Sequence, residues 1–428
     1  MFDLSKLTDL GRGNLEQDKK SIRENTVLLD STLEDFNVDA EVVKVVLSAI
    51  TTQYYIKLGR GVKVNQVTSL RDNLALALSV DSVDIGAERG LLKISINNRG
   101  QGIASFKSAM ENKVTNREKP LTVEVGTDTA GLPMSIDLAK APHLLVAGAT
   151  GSGKSVFLNS IINDLILNTS PEDVRVTLVD PKRVEFSQYR GIPHVRDVIT
   201  DNKLAVDTLE RMVDEMNKRY KSFETHRVKD IKGYNRLEGL DKIPYEVVIV
   251  DEMADLMMNH SEVEDSLVSI AQLGRASGIH IIIATQRPTV NVITGNLKAN
   301  IPSRVAFRVA SGVDSRTILD HSGAEKLKGN GDMLLKTELG ESRVQGLYIT
   351  DDDICSIVEH YRVGKNVVKG SDVNDTLIDL VVGKSYLTAD ELSEKYSVGY
   401  HQAMKIIDEM VARGYLGSNT LNGYKVLI

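Results

Sequence analysis

Lys154 and Ser155 close the run Gly148-Ala149-Thr150-Gly151-Ser152-Gly153-Lys154-Ser155. Glycines at this spacing let consecutive backbone N–H groups turn inward and wrap a polyphosphate. Lys154 would then reach the β- and γ-phosphates of a nucleotide, and the Ser155 hydroxyl would ligate Mg²⁺. The apolar residues that follow (Val156, Phe157, Leu158, Ile161, Ile162, Leu165) supply a helix whose positive end faces the phosphates.

A second group of residues completes a hydrolytic site. Val247-Val-Ile-Val-Asp251-Glu252 reads as a buried strand ending in two acids. Such a strand carries Asp251 beside the phosphates, where it holds Mg²⁺ through water, and lets Glu252 polarise the attacking water. Ile281-Ile-Ile-Ala-Thr285-Gln286-Arg287-Pro288 is another buried strand with a polar end. If it lies between the phosphate-loop strand and the acidic strand, Gln286 sits near the γ-phosphate and senses its loss. The alternative is a strand-end amide bonded to its own loop. A phosphate-transferring site also needs a cation, often from a neighbouring subunit. Of Arg275, Arg304, Arg308 and Arg316, Arg304 is the first choice. It begins a strand and is expected to project at an edge. Surface ion pairing is the alternative for each arginine.

The elements that must position these residues are legible around them. Strand-like runs at 143–147, 174–179, 246–250, 280–284 and 304–309 alternate with helical patterns, including an amphipathic one over 203–225. That alternation predicts an α/β unit, a mostly parallel sheet covered on both faces. Before it, residues 1–35 read as a helical or loosely ordered leader, and 36–115 as a small mixed α+β domain. After it, 362–372 read as a linker, and 373–428 as helix, turn, helix and a strand pair, the order of a winged helix. The chain has 428 residues, 42% hydrophobic and 26% charged, with a net charge of −7. A uniformly basic nucleic-acid binder is thereby excluded, and nucleic-acid contacts must come from local patches. A single cysteine, Cys355, excludes a disulfide framework and fits a reducing cytoplasm. No apolar run approaches a membrane span.

The motifs His143–Ser155, Asp180-Pro-Lys182, Gly191-Ile-Pro-His194, Asp251-Glu252, Gly274-Arg-Ala276, Ala284-Thr-Gln-Arg-Pro288, Asp314-Ser-Arg316 and Gly331-Asp-Met333 together resemble the FtsK/SpoIIIE DNA translocases. The resemblance implies a RecA-like motor that binds ATP and Mg²⁺ and pumps double-stranded DNA through a hexameric ring. It implies an α domain at 36–115, a β motor domain at 116–361 and a winged-helix γ domain at 373–428 that reads orienting sequences on DNA. Gly148–Ser155 match the phosphate loop, Asp251 and Glu252 the acidic pair, Gln286 the sensor and Arg304 an arginine acting across subunits. The segment from Gly323 to Met333 matches the pore region. Lys326, Lys328 and Arg343 are its basic candidates for DNA phosphates, which need only charge and reach. On the γ helix Tyr400–Met410, His401, Gln402 and Lys405 face DNA bases.

The membrane helices and Pro/Gln-rich linker of the best-known members have no counterpart here. Either the chain is a soluble, cytoplasmic form or it is a piece of a longer protein with a membrane part; the first is the expectation, acting in chromosome, plasmid or phage DNA segregation, with a recombinase or segregation protein as a partner. A conjugative double-stranded DNA motor, a type VII secretion-like protein pump and a nucleotide-switched DNA-binding regulator are the alternatives. For the winged helix, protein contact is the alternative to DNA.

Overall fold

The computed structural model describes residues 2–9, 15–48, 51–80, 82–88, 90–98, 103–116, 118–258, 260, 262–362, 386–389, 392, 404, 407, 410–411, 416–420 and 423–426. Its strands form sheets of four, eleven and three.

The first sheet belongs to a small unit of α1 (Leu15–Asp35), β1 (Ala40–Leu47), β2 (Thr51–Leu58), α2 (Val64–Thr68), α3 (Arg71–Ala77), β3 (Val83–Glu88) and β4 (Leu91–Asn97). The strands are antiparallel in the order β1-β2-β4-β3. Leu29 and Leu33, four residues apart on one face of α1, are buried against Tyr54, Ile56, Leu74 and Ile94. The boundary expected after residue 35 therefore moves, because α1 shares its core with the sheet. The boundary expected at 115 moves as well. β5 (Ala104–Ser105) and α4 (Phe106–Asn112) bury Ala104, Phe106 and Met110 in the next unit. Phe2 and Leu7 enter that same core, and the Thr8 N–H and hydroxyl donate to Asp353 at 2.6 and 2.8 Å.

The large unit continues with β6 (Thr122–Asp128), β7 (Pro133–Asp137), β8 (His143–Ala147), α5 (Lys154–Asn168), β9 (Val174–Val179) and β10 (Val195–Ile199). Then come α6 (Asn202–His226), α7 (Ile231–Tyr234), β11 (Tyr245–Val250), α8 (Met253–Met257), α9 (Glu262–Ser277) and β12 (Ile279–Thr285). It ends with α10 (Gly295–Asn300), β13 (Ser303–Phe307), α11 (Gly312–Leu319), β14 (Asp332–Thr337), β15 (Gly340–Tyr348) and α12 (Asp351–Tyr361). The sheet order is β10-β9-β11-β12-β8-β13-β14-β15-β6-β7, with β5 alongside β15. From β10 to β13 the strands are parallel. From β13 to β7 they are antiparallel, an extension that the alternation of strands and helices did not announce.

Alternate residues of the central strands point to opposite faces. Leu144 and Val146 of β8 join Val247 and Ile249 of β11 on the face covered by α5 and α12. Leu145 and Ala147 join Val248 and Val250 on the face covered by α6 and α9. Runs apolar at every position are the signature of strands buried on both sides. Two of the covering helices begin at side-chain caps. The Asp201 carboxylate accepts the Leu204 N–H ahead of α6, and Thr350 with Asp353 forms a capping box on α12.

The third sheet joins β16 (Tyr386–Leu387), β17 (Leu416–Thr420) and β18 (Gly423–Val426) in the order β16-β18-β17. Leu387, Leu392, Ile407, Met410 and Leu416 are buried together beneath it. His401, Gln402 and Lys405, and the expected linker beyond Arg362, lie outside the described residues. Among the described residues no helix is long and apolar enough to cross a membrane.

Candidate functional site

β8 delivers the chain into the loop 148–153, and α5 receives it. Gly148 and Gly153 are dictated by close approach. A Cβ on Gly148 would fall 2.5 Å from the Phe307 Cβ, and one on Gly153 would fall 2.4 Å from the Gly331 nitrogen. Gly153 also stands at φ +109, in the region that favours glycine. The Gly331 N–H donates to the Ser152 carbonyl at 2.8 Å, so the segment expected in the pore region braces the loop from behind. The Ala149 N–H donates to the Arg308 carbonyl at 2.9 Å.

Lys154 opens α5 and is 3% exposed. A buried ammonium requires a counter-charge. Its Nζ donates to the Asp251 carboxylate at 2.6 Å and to the Asp251 carbonyl at 2.7 Å. The Ser155 hydroxyl donates to Glu185 Oε1 at 2.6 Å. Burial pushes the Glu185 carboxyl up from its ordinary range, against the pull of that hydrogen bond.

The expected strand order is present: β12 lies between β11 and β8. Parallel pairing in register brings the ends of the three strands together. Glu252, just past β11 and buried, accepts from the Thr285 hydroxyl at 2.7 Å and the Gln286 N–H at 3.2 Å. The Gln286 side-chain oxygen accepts from the Thr150 hydroxyl at 2.8 Å. Acid, amide and phosphate loop are thus linked by one hydrogen-bonded path. On the other side of Glu252, Lys182 Nζ lies 3.1 Å from Oε2 and 3.6 Å from Asp255. Burial disfavours the Lys182 charge, yet Glu252 and Asp255 outweigh it and hold its pKa above the ordinary value.

Arg304 is not an edge residue. β13 lies between β8 and β14, and the Arg304 side chain turns inward. Its Nε donates to the Ile301 carbonyl at 3.2 Å, Nη2 to Lys298 at 2.8 Å, and Nη1 to Ile318 at 3.1 Å and to the Asp320 carboxylate at 2.6 Å. Every side-chain nitrogen is engaged, so Arg304 ties α10, β13 and α11 together instead of reaching a neighbour. Lys298, Arg304 and Lys336 hold the Asp320 carboxyl well below the carboxylate range. Arg275, Arg308 and Arg316 are exposed.

The three cations expected to serve the pore region differ in their surroundings. Lys326 is exposed. Lys328 is half-buried and donates to the Asn98 carbonyl of the small unit at 2.9 Å. Arg343 forks onto buried Asp332 at 2.9 and 2.7 Å. Glu185, Lys182 and Thr285 went unassigned in the sequence. Asp180-Pro-Lys182 directly follows β9, the strand beside β11, and that adjacency was the available signal.

The chain matches the model of the FtsK/SpoIIIE family over residues 106–290 and that of the FtsK alpha domain over residues 3–96. It is 41% identical to the DNA translocase SpoIIIE of Bacillus subtilis (strain 168), across 97% of this chain and 57% of that protein. It is 40% identical to the DNA translocase SftA of the same strain, across 96% of this chain and 46% of that protein. The chain spans about half the length of the curated relatives it matches. Among solved structures, the monomer form of the pCW3 conjugation coupling protein TcpA with ATPgS superposes with a TM-score of 0.57 at 26% identity, over 79% of this chain and 99% of that one. The cytoplasmic domain of the type VII secretion ATPase EccC of Thermomonospora curvata gives 0.53 at 26% identity, over 60% of this chain and 32% of that one.

Proposed function

We propose, since the chain belongs to the FtsK/SpoIIIE family, that it is an ATP-driven motor which moves double-stranded DNA through a hexameric ring of its own copies. The observation that carries the hydrolytic half is the path from Glu252 through Gln286 to Thr150. ATP lies along the loop 148–153, against those of its backbone N–H groups that are not bonded within the protein, with Lys154 on its terminal phosphates. Ser155 and Asp251 would hold Mg²⁺, a cation that prefers hard oxygen donors. The Ser155 hydroxyl donates its hydrogen to Glu185, which leaves that oxygen's lone pairs available to a metal. When bound, Mg²⁺ neutralises charge on the phosphates. Glu252 polarises the attacking water, and Gln286 reports loss of the γ-phosphate to the loop through Thr150. The cation that offsets transition-state charge falls to one of the exposed arginines, Arg275, Arg308 or Arg316, from an adjoining copy.

The cargo reading is supported by relatives that are named DNA translocases. Gly331, bonded to the phosphate loop, gives hydrolysis a direct mechanical outlet into the segment 323–333. Lys326 is the DNA-facing cation of that segment. Residues 373–428 act as the winged-helix γ domain that orients the ring. The working site is the cytoplasm, in segregation of chromosomal, plasmid or phage DNA with a recombinase or segregation partner. The likeness to TcpA favours a second reading, a conjugative motor for the same cargo.

The test is ATPase activity with and without duplex DNA, together with displacement of a triplex-forming strand. Duplex DNA is expected to stimulate hydrolysis, and Lys154→Ala to abolish both activities. Hydrolysis indifferent to DNA would move the reading to a protein pump. A Lys154→Ala protein that still displaces the strand would end it.

A further inference from the structure

Residues 180–186 form a closed turn over the end of β11. Buried Asp180 accepts the Glu185 and Phe186 N–H groups on one carboxylate oxygen, each at 2.9 Å. The Arg183 N–H donates to the Asp180 carbonyl at 3.1 Å, with Arg183 in the left-handed region at φ 59. A non-glycine residue adopts that conformation only where its surroundings hold it there. The turn is therefore fixed at its base, and Lys182 is carried on it.

Lys182 meets Glu252 at Oε2, which the Gln286 N–H also approaches at 3.2 Å, on the side away from the Thr285 hydroxyl. Oε1 of Glu252 takes the Thr285 hydroxyl, while Oε2 faces the ammonium of Lys182. A carboxylate gripped on both oxygens has one orientation, and a second acidic partner, Asp255, keeps Lys182 from swinging away. The side chain of Lys182 is 40% exposed, so it can hold Glu252 without filling the space in front of it.

We propose that Lys182 is a positioning residue for ATP hydrolysis, which fixes the Glu252 carboxylate in the orientation that polarises water. This rests on the reading of Glu252 given above. Lys182 acts through Glu252 and not on the phosphates. Its removal acts on the chemical step and leaves nucleotide binding to Lys154 and the loop.

The experiment compares Lys182→Ala, Lys182→Arg and Glu252→Gln in steady-state hydrolysis of Mg-ATP by the full chain with duplex DNA, alongside nucleotide binding and thermal melting. Misplacement of a catalytic group by an ångström costs up to about a hundredfold. Lys182→Ala is expected to lose about tenfold or more in kcat, with KM and nucleotide affinity within about twofold of the parent. Lys182→Arg keeps charge and reach, and is expected to recover most of the rate. An unchanged kcat in Lys182→Ala overturns the proposal, as does a rise in KM that accounts for the whole defect, or an arginine variant as slow as alanine in a protein that melts normally. Glu252→Gln separates the two readings. If it still hydrolyses ATP, the assignment of Glu252 fails; if it is inactive while Lys182→Ala is unimpaired, only the role of Lys182 fails.

Discussion

Replacing Arg304 by alanine strands the carbonyls of Lys298, Ile301 and Ile318 at the junction of α10, β13 and α11. Buried acceptors without donors are costly, although the half-exposed Asp320 moderates the electrostatic part. We expect a loss on the order of 2–4 kcal/mol, read as a lower denaturant midpoint with an unchanged slope. Wild-type stability with a defect only in rings of mixed subunits would return Arg304 to the interface. The misreading of this residue has a physical cause. Whether β13 is an edge depends on β14, whose sequence begins some way further along the chain. Lys154, Asp251, Glu252 and Gln286 were legible because local spacing alone puts each at a strand end or helix start. Lys182 and Glu185 were not, since each acts on a residue far off in sequence, from a turn that has no period.

At the scale of elements, the phosphate loop joins β8 to α5 and is pressed against the chain at 330–331. Gly151 and Gly153 both have positive φ, but a Cβ on Gly151 meets nothing within 4 Å, whereas one on Gly153 strikes the Gly331 backbone. Left-handed strain alone costs about 1–2 kcal/mol. Gly153→Ala is therefore expected to weaken nucleotide binding by more than about tenfold, and Gly151→Ala by less; titration with a fluorescent ATP analogue ranks them. At the opposite ends of β8 and β12, His143 and His280 are buried. Burial, and for His143 the neighbouring ring of His280, brings their pKa values down from 6.5 to about 3 and about 4. Below pH 6.5 the unfolded chain takes up protons that the folded one refuses, so the stability these residues confer at neutral pH is lost as pH falls toward 4. Melting temperature is expected to drop across that window. His143→Asn retains an acceptor for the Ile281 N–H that His143 receives, and should flatten the drop. The parallel strands were readable as continuous apolar runs. The antiparallel half was not, because strands β14, β15, β6 and β7 are only partly buried and their pairing is decided by partners remote in sequence.

At the scale of the whole molecule, the small unit does not simply precede the large one. Phe2 and Leu7 lie in the large unit's core, Leu29 and Leu33 in the small unit's, and Ala104 and Phe106 in the large unit's again. Leu7→Ala is accordingly expected to cost about 2–4 kcal/mol in the unfolding of the large unit, while amides of β2 and β4 keep their hydrogen-exchange protection. Lys326 and Lys328 also part company at this scale. With DNA as cargo, Lys326→Ala should weaken binding to duplexes of any sequence and make it less steep in salt, by about one unit of log–log slope for each phosphate left without its lysine. Lys328→Ala should instead loosen the attachment to Asn98, seen as faster proteolysis between the units.

The sharing of cores along the chain has a mechanical consequence. A unit hung on one strand can swivel about it, but here the polypeptide leaves the large unit after residue 9 and returns to it before residue 103, giving two tethers in parallel. The Thr129 carbonyl, which accepts from both Thr51 and Gln53, and the Asn98 carbonyl, which accepts from Lys328, add further points of attachment between them. If copies of the chain assemble as the proposed ring, each small unit is expected to follow the rocking of its own large unit without slipping.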